Sequence, residues 1–274
     1  MKPPVVPDWD PWFSHWTPFV TLPDLGYQTH VATMNNGPER TEVRLTARRR
    51  EGGPMTTQGL RLGMLAPGER LIVRDVDARA GDGSPLLCIL SQAPVSWLDE
   101  NPRERPTAAI SGWMGMCDDW VEYRRPDGAG GGVLYTGFFF NDPRTARQHS
   151  TVVQSPKVWR GPHHDTGLIL MNVATWPAHQ ATAEVSVCLE MGAKSRRTHL
   201  RIPPWSADLL QVHSPQPGYG LLVAVSPVVT VVPLGFIRDT RSGALAIDHT
   251  MPPGSYHDAW GDTDRRAAWA ASLT

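Results

Sequence analysis

The stretch GPHHDTGLILMNVATWP (161–177) places His163, His164 and Asp165 side by side, immediately before an apolar run. A His-x-Asp pair has the spacing of the first two ligands in a 2-His-1-carboxylate triad. There a third histidine arrives from a distant strand, and Fe(II) keeps open positions for oxygen and a co-substrate. His213, His249 or His257 could supply that third ligand. The set His163, Asp165 and His249 is therefore the metal site that the sequence offers, with a non-haem iron oxygenase as the chemistry it implies. The segment AIDHTMPPGSYHDAW (246–260) adds Asp248, His257 and Asp258, which could join His163 or His164 around zinc. The opposing reading is a polar loop ahead of a strand. In a chain with ten histidines such a tripeptide arises readily by chance. The expectation is no cofactor, with iron or zinc as the alternative.

Aromatic residues offer a different chemistry. The chain has eleven tryptophans, and DWDPWFSHW crowds Trp9, Trp12, Phe13 and Trp16 into one proline-punctuated arm. Trp97, Trp113 and Trp120 fall within 95–120. Tryptophan brings a large apolar face with one polar handle, which suits the lining of an apolar pocket or the docking of a partner. Trp9, Trp12, Trp16, Trp97, Trp113 and Trp120 are the ligand-binding residues that follow from this reading. The structural alternative is that they cover a junction between domains. Tryptophan faces also stack on sugars.

Other catalytic signatures are absent. No G-x-S-x-G occurs, and Ser111 in AISGW lacks the strand–turn–helix context of a nucleophile elbow. GAGGG (128–132) resembles a phosphate loop in composition only; it lacks the following Lys-Ser/Thr and reads as a flexible turn. Cys88, Cys117 and Cys188 are too few and too far apart for a disulfide framework.

These residues must be carried by strands. Gly 25 and Pro 26 are scattered singly between short apolar runs, as turns punctuate a β-rich fold. Such runs include TEVRLTA (41–47), PLLCIL (85–90), GLILMNVAT (167–175) and AEVSVCLEM (183–191). Their spacing of roughly ten residues is the pattern of an all-β sandwich. Helical periodicity is confined to DTDRRAAWAASL (262–273), capped by Asp262 or Thr263.

The pieces also recur in order. Met-Asn, a polar loop and Glu-Val occur at 34–43 and again at 171–185; Leu-Arg recurs at 60 and 200, and Leu-Leu at 86 and 221. VEYRRPDGAGGGVLY (121–135) and LGFIRDTRSGALAI (234–247) both read as β-hairpins. The expected fold is all-β. It consists of two tandem immunoglobulin-like antiparallel β-sandwich modules of about seven strands each, with an aromatic N-terminal arm and a short C-terminal helix. The arm spans 1–24, the first module 25–150 with an insertion at 95–120, the second module 151–261 and the tail 262–274.

Composition narrows the function. A net charge of −1 leaves no electrostatic footprint for nucleic acid. No apolar run reaches the length of a membrane span, and MKPPVVPDWDPW lacks the apolar core of a secretory leader, which predicts a cytoplasmic protein. The leading expectation is a non-catalytic protein that binds a protein partner or a small apolar ligand at the inter-module cleft. The alternatives are the metal-dependent enzyme above and a subunit that assembles into a homo-oligomer through sandwich edge strands.

Overall fold

The computed structural model describes residues 5–7, 12, 15–53, 55–99, 104–106, 117–134, 151–174, 176, 178–191, 194–212 and 217–249. Trp9, Trp113, His213, His257 and the expected tail helix lie outside the described residues. The first half contains β1 (Val5–Pro7), β2 (His15–Val20), β3 (Gln28–Asn35), β4 (Thr41–Arg49), β5 (Met55–Leu65) and β6 (Arg70–Val73). Then come α1 (Val76–Ala80), β7 (Leu86–Pro94), α2 (Val95–Asp99), β8 (Glu104–Pro106), β9 (Cys117–Arg124) and β10 (Gly130–Leu134). The second half contains β11 (Thr151–Arg160), β12 (His164–Asn172), β13 (Ala183–Met191) and β14 (Lys194–Ile202). It continues with β15 (Ser206–Val212), β16 (Gly218–Ser226), β17 (Val232–Asp239) and β18 (Leu245–His249).

The chain is nearly all β, in antiparallel sheets. Apart from the β1–β8 ribbon, the sheet orders are β2-β7-β4-β5 and β10-β9-β3-β6, then β11-β16-β13-β14 and β18-β17-β12-β15. The second pair repeats the strand order of the first. Among the described residues each half therefore contributes eight such strands, one more than the seven expected. The first two strands of each half lie in opposite sheets, whereas an immunoglobulin sandwich pairs its first two in one sheet. Both expected hairpins are present, as β9–β10 and β17–β18.

The repeated Met-Asn has a structural reason. Asn35, at the end of β3, donates from Nδ2 to the carbonyls of Glu39 and Leu65 at 2.8 and 3.2 Å. Asn172, at the end of β12, donates to the carbonyls of Ala181 and Ile202, both at 2.9 Å. In each half the amide ties the approach to the third strand to the last residue of the fourth. The main-chain carbonyls of these asparagines accept from Gly68 and Trp205 at 2.7 and 2.8 Å. Both donors have left-handed backbone, with φ of 78° and 60°. Gly68 adopts it freely, whereas Trp205 does so against its own Cβ. Its side chain explains the exception. The indole is buried, Nε1 donates to the His179 carbonyl at 3.1 Å, and the Arg48 guanidinium of the first half lies 5.5 Å from the ring.

β12 is apolar without alternation because both its faces are covered. Leu168 and Leu170 enter the core shared with β11, β13, β14 and β16; Ile169 and Met171 enter a core shared with the first half. Phe236, Leu234 and Trp205 join Ile169 in that second core. The seam between the halves is thus packed with side chains. Its rim is polar: Tyr27 donates to the Gly243 carbonyl at 2.8 Å, and the Ala207 N–H to the Arg50 carbonyl at 2.7 Å. GAGGG supplies more than a turn. Gly128 takes φ of 91° in the hairpin, and Gly130, Gly131 and Gly132 form β10. A Cβ at Gly131 would sit 1.8 Å from the Leu245 carbonyl of β18, so only glycine lets the two strands approach.

Candidate functional site

Strand alternation sends His15, Thr17 and Phe19 of β2 to one face and Trp16 and Pro18 to the other. On β9 the same rule separates Asp119 and Val121 from Trp120. His15 and Asp119 meet between the two sheets of the first sandwich, His15 Nε2 lying 2.8 Å from Asp119 Oδ2. The Thr17 hydroxyl donates to the same oxygen. Beside them Thr33 of β3 donates to Gln92 Oε1 of β7 at 2.8 Å, and Gln92 Nε2 donates to Thr41 at 2.9 Å. All six side chains belong to buried residues. They form one polar end of the core, bonded across both sheets.

The second half is an internal control. Strand register places Val153, Leu170, Ala183 and Pro233 where the first half has Thr17, Thr33, Thr41 and Asp119. Small Thr151 and Ser226 replace His15 and Gln92. The same strand order therefore forms without the His–Asp pair, and the polar cluster is not a requirement of the fold.

Two atoms of the cluster are left over. His15 Nδ1 and Asp119 Oδ1 are buried and have no hydrogen-bond partner among the described residues. The imidazole Nδ1 can donate or accept according to the tautomer, and the carboxylate Oδ1 accepts. Buried polar atoms without partners are rare in proteins and mark a place for a water or a ligand group. Burial, reinforced by Asp119 and Asp118, pushes the neighbouring Cys117 thiol far above its ordinary range and keeps it protonated.

The strands that carry this cluster adjoin two aromatic-bearing stretches of the sequence. The N-terminal arm enters β2 at His15, and the segment 95–116 leaves β7 three residues after Gln92 and enters β9 three before Asp119. In the second half only 227–231 separates the equivalent β16 and β17. The nominated tryptophans divide sharply. Trp16 is fully buried core, and Trp12 is partly buried under the Arg44 guanidinium, 3.8 Å from its ring. Trp97 is half-buried on α2. Trp120 belongs to β9, is 41% exposed, and lies against Gly132.

The histidine–aspartate triplet is split by the geometry. His163 lies in the turn before β12, and its carbonyl accepts from Thr240 at 2.8 Å. His164 stacks on Trp159 with ring centroids 5.3 Å apart. Asp165 points to the seam, where Oδ2 pairs with Arg238 Nη2 at 2.5 Å; Arg238 Nη1 also reaches the Leu25 carbonyl at 3.4 Å. His249 ends β18 in the row of Leu234 and Ile169, four residues from the row of Asp165, Arg238 and Leu245. That offset is about 13 Å along the strands, so His249 does not converge with Asp165. Among the described residues no group of three His, Cys, Asp or Glu is placed to hold a metal ion. Sequence reasoning missed His15 and Asp119 while selecting their neighbours Trp16 and Trp120. The signal present was a buried strand pattern interrupted by ionisable residues.

Among the described residues no helix is long and apolar enough to cross a membrane. No protein-family model matches the chain, and no curated protein matches it. Among solved structures, it is similar to β-glucuronidase 2 of Bacteroides uniformis at 9% identity and a TM-score of 0.22, over 86% of this chain and 25% of that one. It is also similar to a glycosyl hydrolase family 2 member of Bacteroides cellulosilyticus at 5% identity and a TM-score of 0.23, over 85% of this chain and 27% of that one. The chain spans about a quarter of the length of these two enzymes, and nothing about its own activity follows from them.

Proposed function

We propose that this is a non-catalytic binding protein whose ligand or partner engages the end of the first sandwich where His15, Gln92 and Asp119 come together. One observation carries the reading: the buried polar cluster exists only in the first half, although both halves share a strand order. The unpartnered atoms His15 Nδ1 and Asp119 Oδ1 would bond to polar groups of the bound molecule. Trp12 and Trp97 would supply apolar contact. The inter-module cleft is the weaker location because apolar side chains fill the seam. The metal-dependent alternative is weakened by the Arg238 partner of Asp165 and by the distance to His249.

The test is a His15→Leu/Asp119→Leu double variant, compared with the parent in the organism that encodes it. Replacing both members of a buried polar pair by apolar residues of similar size is nearly neutral for stability. The variant is therefore expected to melt close to the parent. Cross-linking and untargeted mass spectrometry of the purified proteins should recover a small molecule or partner with the parent alone. Recovery of the same set with both proteins at matched stability would refute the assignment.

A further inference from the structure

A second surface carries a ligand chemistry of its own. Trp159 of β11 and Tyr219 of β16 are directly paired across neighbouring strands, with ring centroids 5.3 Å apart and planes tilted by 46°. His164 stacks on Trp159 at 25°, so the three rings form one row with the indole in the middle. Trp159 is 43% exposed and Tyr219 73% exposed. Tyr219 stands between Gly218 and Gly220 on β16.

The backbone that carries Trp159 is held in place. A bulge between Ser155 and Val158 shifts the β11–β16 register just before Trp159, a device that re-aims a side chain. The Trp159 N–H then donates to Thr166 Oγ1 at 3.0 Å, and the Thr166 hydroxyl donates to the Trp159 carbonyl. One edge of the platform is polar. His164 pairs in register with Asp239, whose Oδ1 is engaged by the backbone of Arg241 and Ser242. Those two hydrogen bonds hold the Asp239 carboxyl below its ordinary range, so it stays an acceptor.

We propose that Trp159, Tyr219 and His164 form a stacking site for a pyranose ring of a neutral oligosaccharide. The C–H face of a pyranose is apolar and weakly positive, matching the negative face of an aromatic ring. Its equatorial hydroxyls project sideways, toward the imidazole of His164 and the carboxylate of Asp239. A nucleobase would stack equally well, but strand-binding sites add a positively charged groove for the phosphates, and this chain has a net charge of −1. A polyproline peptide also docks between aromatic rings, but it uses few hydrogen bonds at a polar rim.

The experiment is calorimetric titration of the full chain with cellohexaose, maltohexaose and chitohexaose. Parallel titrations use Trp159→Ala, Tyr219→Ala and a proline-rich decapeptide. At least one hexasaccharide should bind saturably, and each variant should weaken it about tenfold or more. Because Tyr219 is largely exposed, Tyr219→Ala keeps the test valid even if Trp159→Ala misfolds. Failure of all three sugars, unchanged affinity in Tyr219→Ala, or binding of the peptide alone would each overturn the assignment. Since the platform shares no residue with the His15–Asp119 cluster, either site can fail without the other.

Discussion

A single side chain can do the same work twice in this protein. Asn35 and Asn172 each satisfy two backbone carbonyls at the same place in the two halves. Replacing either by alanine strands one buried and one part-buried acceptor, at about 1–3 kcal/mol for the buried one. Asn172→Ala is expected to lose about 2–4 kcal/mol, and Asn35→Ala a similar amount, measured by urea denaturation. A loss confined to one half would show that the asparagine holds the fold in that half only. His15 and Asp119 behave differently. Strand register puts Thr151 and Pro233 where the pair would stand in the second half, so its unpartnered atoms are not structural necessities.

At the scale of elements, β10 shows how composition sets proximity. Gly130, Gly131 and Gly132 bring its backbone against β9 and β18, and the missing Cβ at Gly131 is what admits the Leu245 carbonyl. Gly131→Ala should force β10 and β18 apart and destabilise the protein by about 1–3 kcal/mol, as overpacking does elsewhere. A melting temperature equal to the parent's would show that the strands can separate freely. The edge strand β14 carries Lys194, Arg196, Arg197, His199 and Arg201 in nine residues. Such charge discourages pairing with another chain, so a homo-oligomer would be better sought at other surfaces.

At the scale of the whole molecule, the core on the inner face of β12 belongs to both halves. Separating them would expose Ile169, Met171, Leu234 and Phe236 to water. The protein should therefore unfold in one cooperative transition, with tryptophan fluorescence and far-ultraviolet dichroism coinciding in urea. Residues 151–249 expressed alone should bind a hydrophobic dye or aggregate. Two resolved transitions, with a well-behaved isolated half, would show that the seam is an interface between independent bodies.

By itself the sequence determined the β class, the two hairpins and the order of recurring segments. Period-two alternation, turn residues and repetition are local properties, and they survive without knowledge of the partners. It also singled out the aromatic arm and the long segment after β7, because both interrupt the pattern. Only the tertiary structure decided which ionisable residues meet. His15 and Asp119 are 104 residues apart and come together through the facing of two sheets. His163, His164 and Asp165 are adjacent in sequence, yet they go to a turn, an aromatic stack and an ion pair. Alternation along a strand sends neighbours to opposite faces. Pairing between strands brings distant residues together, and its register is fixed by packing rather than by sequence spacing.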